Sequence, residues 1–173
     1  FLFILNDCFS QNDDVILENK NDKSTKAGWA IHAGAGLMYG GNIGLLTERQ
    51  ILLNEKIRIS PFVSAGLAEG GTDSTGINYN WLGYAAGANL EYGTKHRVVF
   101  GPHFIGNNII GNSVEVKKNS LAGASFIIGY KGTPSFGLIW QIYIGDVYVQ
   151  DEFVDSKKYS HNSHMGLGIG YKF

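Results

Sequence analysis

The chain has 173 residues, 44% hydrophobic and 17% charged, which excludes a disordered segment and suits one domain. A formal net charge of -1 leaves no electrostatic footprint for nucleic acid. No apolar run approaches the roughly 20 residues of a membrane helix, whereas spanning strands of about 10 alternating residues stay allowed.

Residues 1–11 start apolar and end in small or polar residues, as a remnant of a secretory signal peptide would. The single cysteine, Cys8, rules out an internal disulfide. Leu5 three residues before it would suit an acylated lipoprotein site, but Asp7 is a poor fit to the small residue expected before such a cysteine. Residues 12–27, rich in Asn, Asp and Lys, are expected to form a polar periplasmic leader, and 28–173 the folded domain.

From Gly28 onward the chain alternates with period two, the mark of strands with unlike faces. Trp29, Ile31, Ala33, Ala35, Leu37 and Tyr39 share one face, against Ala30, His32, Gly34, Gly36 and Met38. Ile43, Leu45 and Ile51 oppose Gly44, Glu48 and Gln50; Ile57, Ile59, Val63, Ala65 and Leu67 oppose Arg58, Ser60, Ser64 and Gly66. Leu82, Tyr84, Leu90 and Tyr92 oppose Gly83, Gly87, Asn89 and Glu91, and Val98, Phe100 and Phe104 oppose Gly101 and His103. Phe126, Ile128 and Tyr130 oppose Gly123, Ser125 and Gly129, while Phe136, Leu138, Trp140, Ile142 and Ile144 oppose Gly137, Gln141, Tyr143 and Gly145. Met165, Leu167, Ile169, Tyr171 and Phe173 oppose Gly166, Gly168, Gly170 and Lys172. These segments make about eight strands, an even number, as a closed antiparallel barrel with both termini on one side requires.

The face opposite the bulky one is Gly, Ala, Ser and Asn with few charges. That composition suits a narrow lumen better than a wet exterior, so the bulky face is expected to meet lipid. Arg49 falls on the bulky phase, which calls for a cation at headgroup level or a bulge that shifts the register. Short links at 53–55, 93–96 and 131–134 alternate with long ones at 68–80, 107–119 and 145–164; the Gly40-Gly41 link is unusually short. On this topology Trp29, Tyr92, Tyr130, Phe136, Tyr171 and Phe173 gather at the periplasmic end as an aromatic girdle.

The last strand, His164 to Phe173, looks like the insertion signal read by the outer-membrane assembly machinery, with a terminal aromatic and alternating apolar residues before it. Over 28–173 the chain resembles the small eight-stranded outer-membrane barrels of the OmpX and OmpA-barrel type. The resemblance implies an all-β, up-and-down transmembrane barrel in the bacterial outer membrane, with membrane lipid and the assembly machinery as partners and a larger outer-membrane complex as a further one. The family holds adhesins, structural barrels, accessory subunits and lipid-modifying enzymes, so it implies no single activity.

Inside the lumen, Glu48, Arg58, Glu91 and Lys172 are expected to form an ion-pair network at the periplasmic level, with Glu48 diagonal to Arg58 if the turn centres near Asn54. No residue is assigned a catalytic, cofactor-binding or metal-ligating role. Lipid A deacylase barrels use a His with a Ser two residues on; at His103-Phe104-Ile105 that place is Ile105. Asp151, Asp155, Ser160, His161 and His164, the set a palmitoyltransferase-type site would draw on, are expected to be solvated loop residues, and His161 and His164 alone make a weak metal pair. Tyr148, Phe153 and Tyr159 in the longest loop are the expected partner contacts. The leading expectation is a structural or accessory subunit or a surface-loop binder; the alternatives are lipid A acyl chemistry and a narrow small-solute channel.

Overall fold

The computed structural model of the chain describes residues 26–72, 78–110, 121–151 and 158–173. The stretch expected to be a signal remnant, nearly all of the expected leader, Cys8, Phe153 and Asp155 lie outside the described residues. Eight strands follow in order: β1 Gly28–Gly36, β2 Gly41–Leu52, β3 Ile57–Thr72, β4 Asn78–Gly93, β5 His96–Ile110, β6 Leu121–Gly132, β7 Leu138–Asp151 and β8 Lys158–Lys172. Each pairs antiparallel with the next, and β1 also pairs with β8, which closes the ladder into a barrel.

Side-chain polarity is inverted relative to a water-soluble barrel. Phe104 is 76% exposed and Met165 70%, and Trp140 and Ile169 also stand on the exterior. Arg58, Arg97, Lys131 and Lys172 are instead buried within. An apolar exterior is stable only against hydrocarbon, where an open sheet edge would strand backbone groups at several kcal/mol each, and closure removes the edge. Arg49 keeps the regular register: it lies opposite Trp29, with its guanidinium 5.2 Å over the indole ring. No bulge is needed, because the cation–π contact lets an outward arginine settle at an aromatic rim.

Three expectations from the sequence are corrected. Strands run further than the alternation, to Thr72 and Asn78, Ile110 and Leu121, and Asp151 and Lys158, so the three long links are shorter than read. A strand of 14 residues tilted by about 40° rises roughly 35 Å, beyond the ~25 Å apolar band, so its end keeps the ladder but needs no apolar alternation. Secondly, the inner face is not only small and polar: Leu46, Phe62, Val99 and Ile127 pack inside as a minor core.

The third correction concerns Leu37–Tyr39, which form a 3-10 turn rather than the end of a strand. Gly36, Gly40 and Gly41 carry φ values of 110°, 81° and 151°, a region that costs glycine nothing. These hinges fold the turn into the barrel, where Met38 is 1% and Tyr39 0% exposed. Tyr39 had the outward parity; only leaving the strand carries it inside.

Candidate functional site

At the end that carries the short turns, the lumen holds one connected cluster of charge. Lys131 Nζ donates to Glu48 Oε1 and Oε2 at 2.9 and 2.8 Å and to Glu91 Oε1 at 2.6 Å. Arg97 Nε pairs with Glu91 Oε2 at 3.0 Å, and the Arg97 guanidinium donates to the Thr133 hydroxyl. Gln50 Nε2 donates to Glu48 Oε1 at 2.7 Å, Ser60 Oγ to Glu91 Oε1 at 2.8 Å, and His32 Nε2 lies 3.3 Å from Glu48. All of these groups are buried. Burial makes an unpaired ion cost several kcal/mol, so the carboxylates are held by cations and hydroxyl or amide donors together.

Of the four residues expected here, Glu48 and Glu91 join through Lys131, a residue the sequence reading left in a turn. Arg58 is buried opposite Glu91 on the β3–β4 ladder, not diagonal to Glu48, which lies opposite Phe62. The β2–β3 turn is centred one residue later than read, because the Asn54 carboxamide accepts from the backbone of Lys56 and Ile57 and opens a four-residue loop between Leu52 and Ile57. Lys172 is buried, and its ammonium donates to the Lys26 carbonyl. Arg97 and Lys131 were missed because each sits at a strand end; extending the inward parity one step from Val99 and Gly129 finds both.

Above this cluster, His103 Nε2 meets Asn89 Oδ1 at 3.0 Å and its ring stands edge-on to Phe62 at 4.7 Å. Higher still, the Met38–Tyr39 turn fills the bore. Met38 N–H donates to Tyr143 Oη at 2.9 Å, Ser64 Oγ donates to the Met38 carbonyl at 2.6 Å, and Gln141 donates to Tyr39 Oη. The glycines of the facing strands leave the room it needs: a Cβ at Gly44 would strike the Tyr39 carbonyl, and one at Gly168 its phenol oxygen. Paired charge below and the folded-in turn above thus occupy the lumen at two levels.

Toward the opposite rim, Ser125 Oγ and His164 Nε2 are 2.9 Å apart inside the bore. A serine nucleophile needs a base oriented by a third group. Among the described residues His164 Nδ1 has no hydrogen-bond partner, so the pair stops at two. On the outer face Ser163 Oγ donates to Asp146 Oδ1 at 2.8 Å and His161 Nε2 lies 3.5 Å from Asp146 Oδ2. Here the carboxylate stands between serine and histidine, the wrong order for proton transfer from the hydroxyl. His161 and His164 part company because a spacing of three on a strand sends them to opposite faces. They and Ser160 belong to β8, and Asp151 to β7, not to a loop as the sequence suggested. His103 and Ile105 lie on one inner face, with no serine in the second place.

Trp29, Tyr92, Phe136, Tyr171 and Phe173 are exposed on the barrel exterior, and half-buried Tyr130 packs on Trp140 at 5.3 Å and His96 at 5.9 Å. Trp140 and His96 extend the aromatic row that the sequence reading drew. At the other rim Tyr148 is exposed, its ring 4.8 Å from that of His161. Tyr159 lies on β8, but its side chain is outside the described ones.

No family model matches the chain, and no curated protein matches it in sequence. Solved structures do match. The N-terminal β-barrel domain of Pseudomonas aeruginosa OprF aligns with a TM-score of 0.52 at 13% identity, covering 86% of this chain and 100% of that one. Neisserial surface protein A (NspA) aligns at 0.50 and 9% identity, covering 85% of this chain and 96% of that one. At such identities the likeness is one of fold. With its closed eight-stranded ladder and apolar exterior, the chain has the fold of the small bacterial outer-membrane β-barrels.

Proposed function

We propose that the chain is a closed outer-membrane barrel that works through its outer surface, as an accessory subunit or a surface binder, and not as a conduit. The observation that supports this reading is the occupied lumen: Met38 and Tyr39 fold into the bore above the Glu48–Lys131–Glu91 cluster. A barrel whose interior is filled by its own side chains presents only its exterior to partners. The contact region lies at the rim of β7 and β8, where Tyr148 is exposed, together with Phe153 and Tyr159 in sequence.

Two measurements test this. In planar bilayers the purified chain is expected to give no stable conductance steps, and a steady open level would overturn the closed-barrel reading. Affinity capture from detergent-solubilised outer membranes is expected to bring down a stable complex, weakened at least several-fold by Tyr148→Ser. Recovery of a lone monomer that binds nothing would end the accessory and binder readings together.

A further inference from the structure

The short-turn end of the lumen buries more positive than negative charge. Among the described residues its buried cations are Arg58, Arg97, Lys131 and Lys172, and its buried carboxylates are Glu48 and Glu91. Arg58, Arg97 and Lys172 are the inward residues nearest the turns on β3, β5 and β8, so cations line the mouth.

Lys172 is the cation that its surroundings leave without a counter-charge. It is 1% exposed, and its ammonium donates to a neutral acceptor, the Lys26 carbonyl. Its strand neighbours are Ala30, opposite it on β1, and Gly137, whose carbonyl accepts from the Lys172 backbone N–H at 2.8 Å. Neither neighbour can supply an anion. Glu48 and Glu91 make no ion pair with Lys172: Lys131 holds both, and Arg97 holds Glu91 as well. The strongest like-charge repulsion on the Lys172 ammonium comes from Arg58. Burial makes an uncompensated charge costly, so two mutually repelling buried cations are stabilised by an anion between them.

The donors indicate its class. An ammonium offers three N–H donors and a guanidinium five in a planar fork, so Arg58 can serve a ligand beside its other contacts. Such a set matches the several oxygens of a tetrahedral oxyanion better than a halide, and charge-assisted hydrogen bonds to oxygen are strong.

We propose that the short-turn mouth of the barrel holds one inorganic oxyanion of the phosphate or sulfate class, bound between the Lys172 ammonium and the Arg58 guanidinium. The site is independent of the surface reading above, because a barrel without any partner would bind the anion equally well.

Calorimetric titration of the full chain, folded in a non-ionic detergent, with sodium sulfate at constant ionic strength set by sodium chloride tests it. The wild type is expected to bind sulfate saturably, one per barrel, and inorganic phosphate in competition with it. Lys172→Met should weaken binding at least ten-fold, Lys172→Arg should retain most of it, and Lys56→Met, in an exposed turn at the same end, should change nothing. In sulfate-free and phosphate-free buffer Lys172→Met should unfold in urea no earlier than the wild type, since it loses a repelled charge. Unchanged gel mobility of the folded, unheated band shows that each variant still forms its barrel. Absence of saturable binding, equal affinity in Lys172→Met, or displacement of sulfate by an equal concentration of chloride would each overturn the proposal. So would binding that appears only after Asp13, Asp14, Glu18 and Asp22 are changed to their amides, because the chain's own carboxylates would then hold the place.

Discussion

Replacing Lys131 by methionine is expected to destabilise the barrel by about 3–5 kcal/mol, the usual result of removing one partner from a buried ion pair. Methionine preserves much of the side-chain volume, so the loss is one of charge and not of packing. Lys131 makes three of the hydrogen bonds that hold Glu48 and Glu91. Without it Glu91 keeps Arg97 and Ser60, but Glu48 is left with Gln50 and the more distant His32. Glu48 is therefore the stranded group. The double variant Lys131→Met with Glu48→Gln removes the uncompensated charge and is expected to recover at least half of the loss. Urea unfolding of the barrel in lipid vesicles measures all three proteins. A single variant within about 1 kcal/mol of wild type would show that the cluster is not the desolvated network its geometry describes.

The second large effect concerns the folded-in turn. A Cβ at Gly168 would meet the phenol of Tyr39, while at Gly44 it would meet the Tyr39 backbone carbonyl. Overpacking typically costs about 1–3 kcal/mol, and more where backbone must move. Gly44→Ala is expected to exceed that range, since Gly66 and Ala65 close the same space from the neighbouring strand and leave no room to shift. Gly168→Ala should be rescued in part by Tyr39→Ala, which deletes the obstructing ring, whereas Gly44→Ala should not, because the carbonyl remains. Tyr39→Ala alone should cost about 3–5 kcal/mol through the cavity it leaves. The contrast is the discriminating result: equal rescue of both glycine variants would mean that Tyr39 does not sit in the bore as described.

Much of the fold was legible in the chain because it depends on local alternation. A period of two sends Ile142 and Ile144 one way and Gln141 and Tyr143 the other, and the structure places Ile142 and Ile144 outside and Gln141 and Tyr143 within. The strand count, the antiparallel order and the closure followed from that pattern and from the cost of open edges in lipid. Strand ends were less legible. At the rim a residue needs no apolar partner, so the alternation fades while the ladder continues; Lys131 therefore reads as a turn residue, and Arg97 falls to neither face.

The alternation along the chain thus determined which face meets lipid, because each side chain's direction is set by its own backbone. Tertiary structure alone decided what meets whom inside. Glu48, Glu91 and Lys131 come from alternate strands β2, β4 and β6, with 83 and 40 residues between the carboxylates and the lysine. Their meeting depends on the tilt and stagger of the closed sheet. Tyr39 turned inward for a similar reason. Its parity pointed out, but three glycines with positive φ let the turn leave the strand, and glycines on β2, β3 and β8 had left it a space to enter.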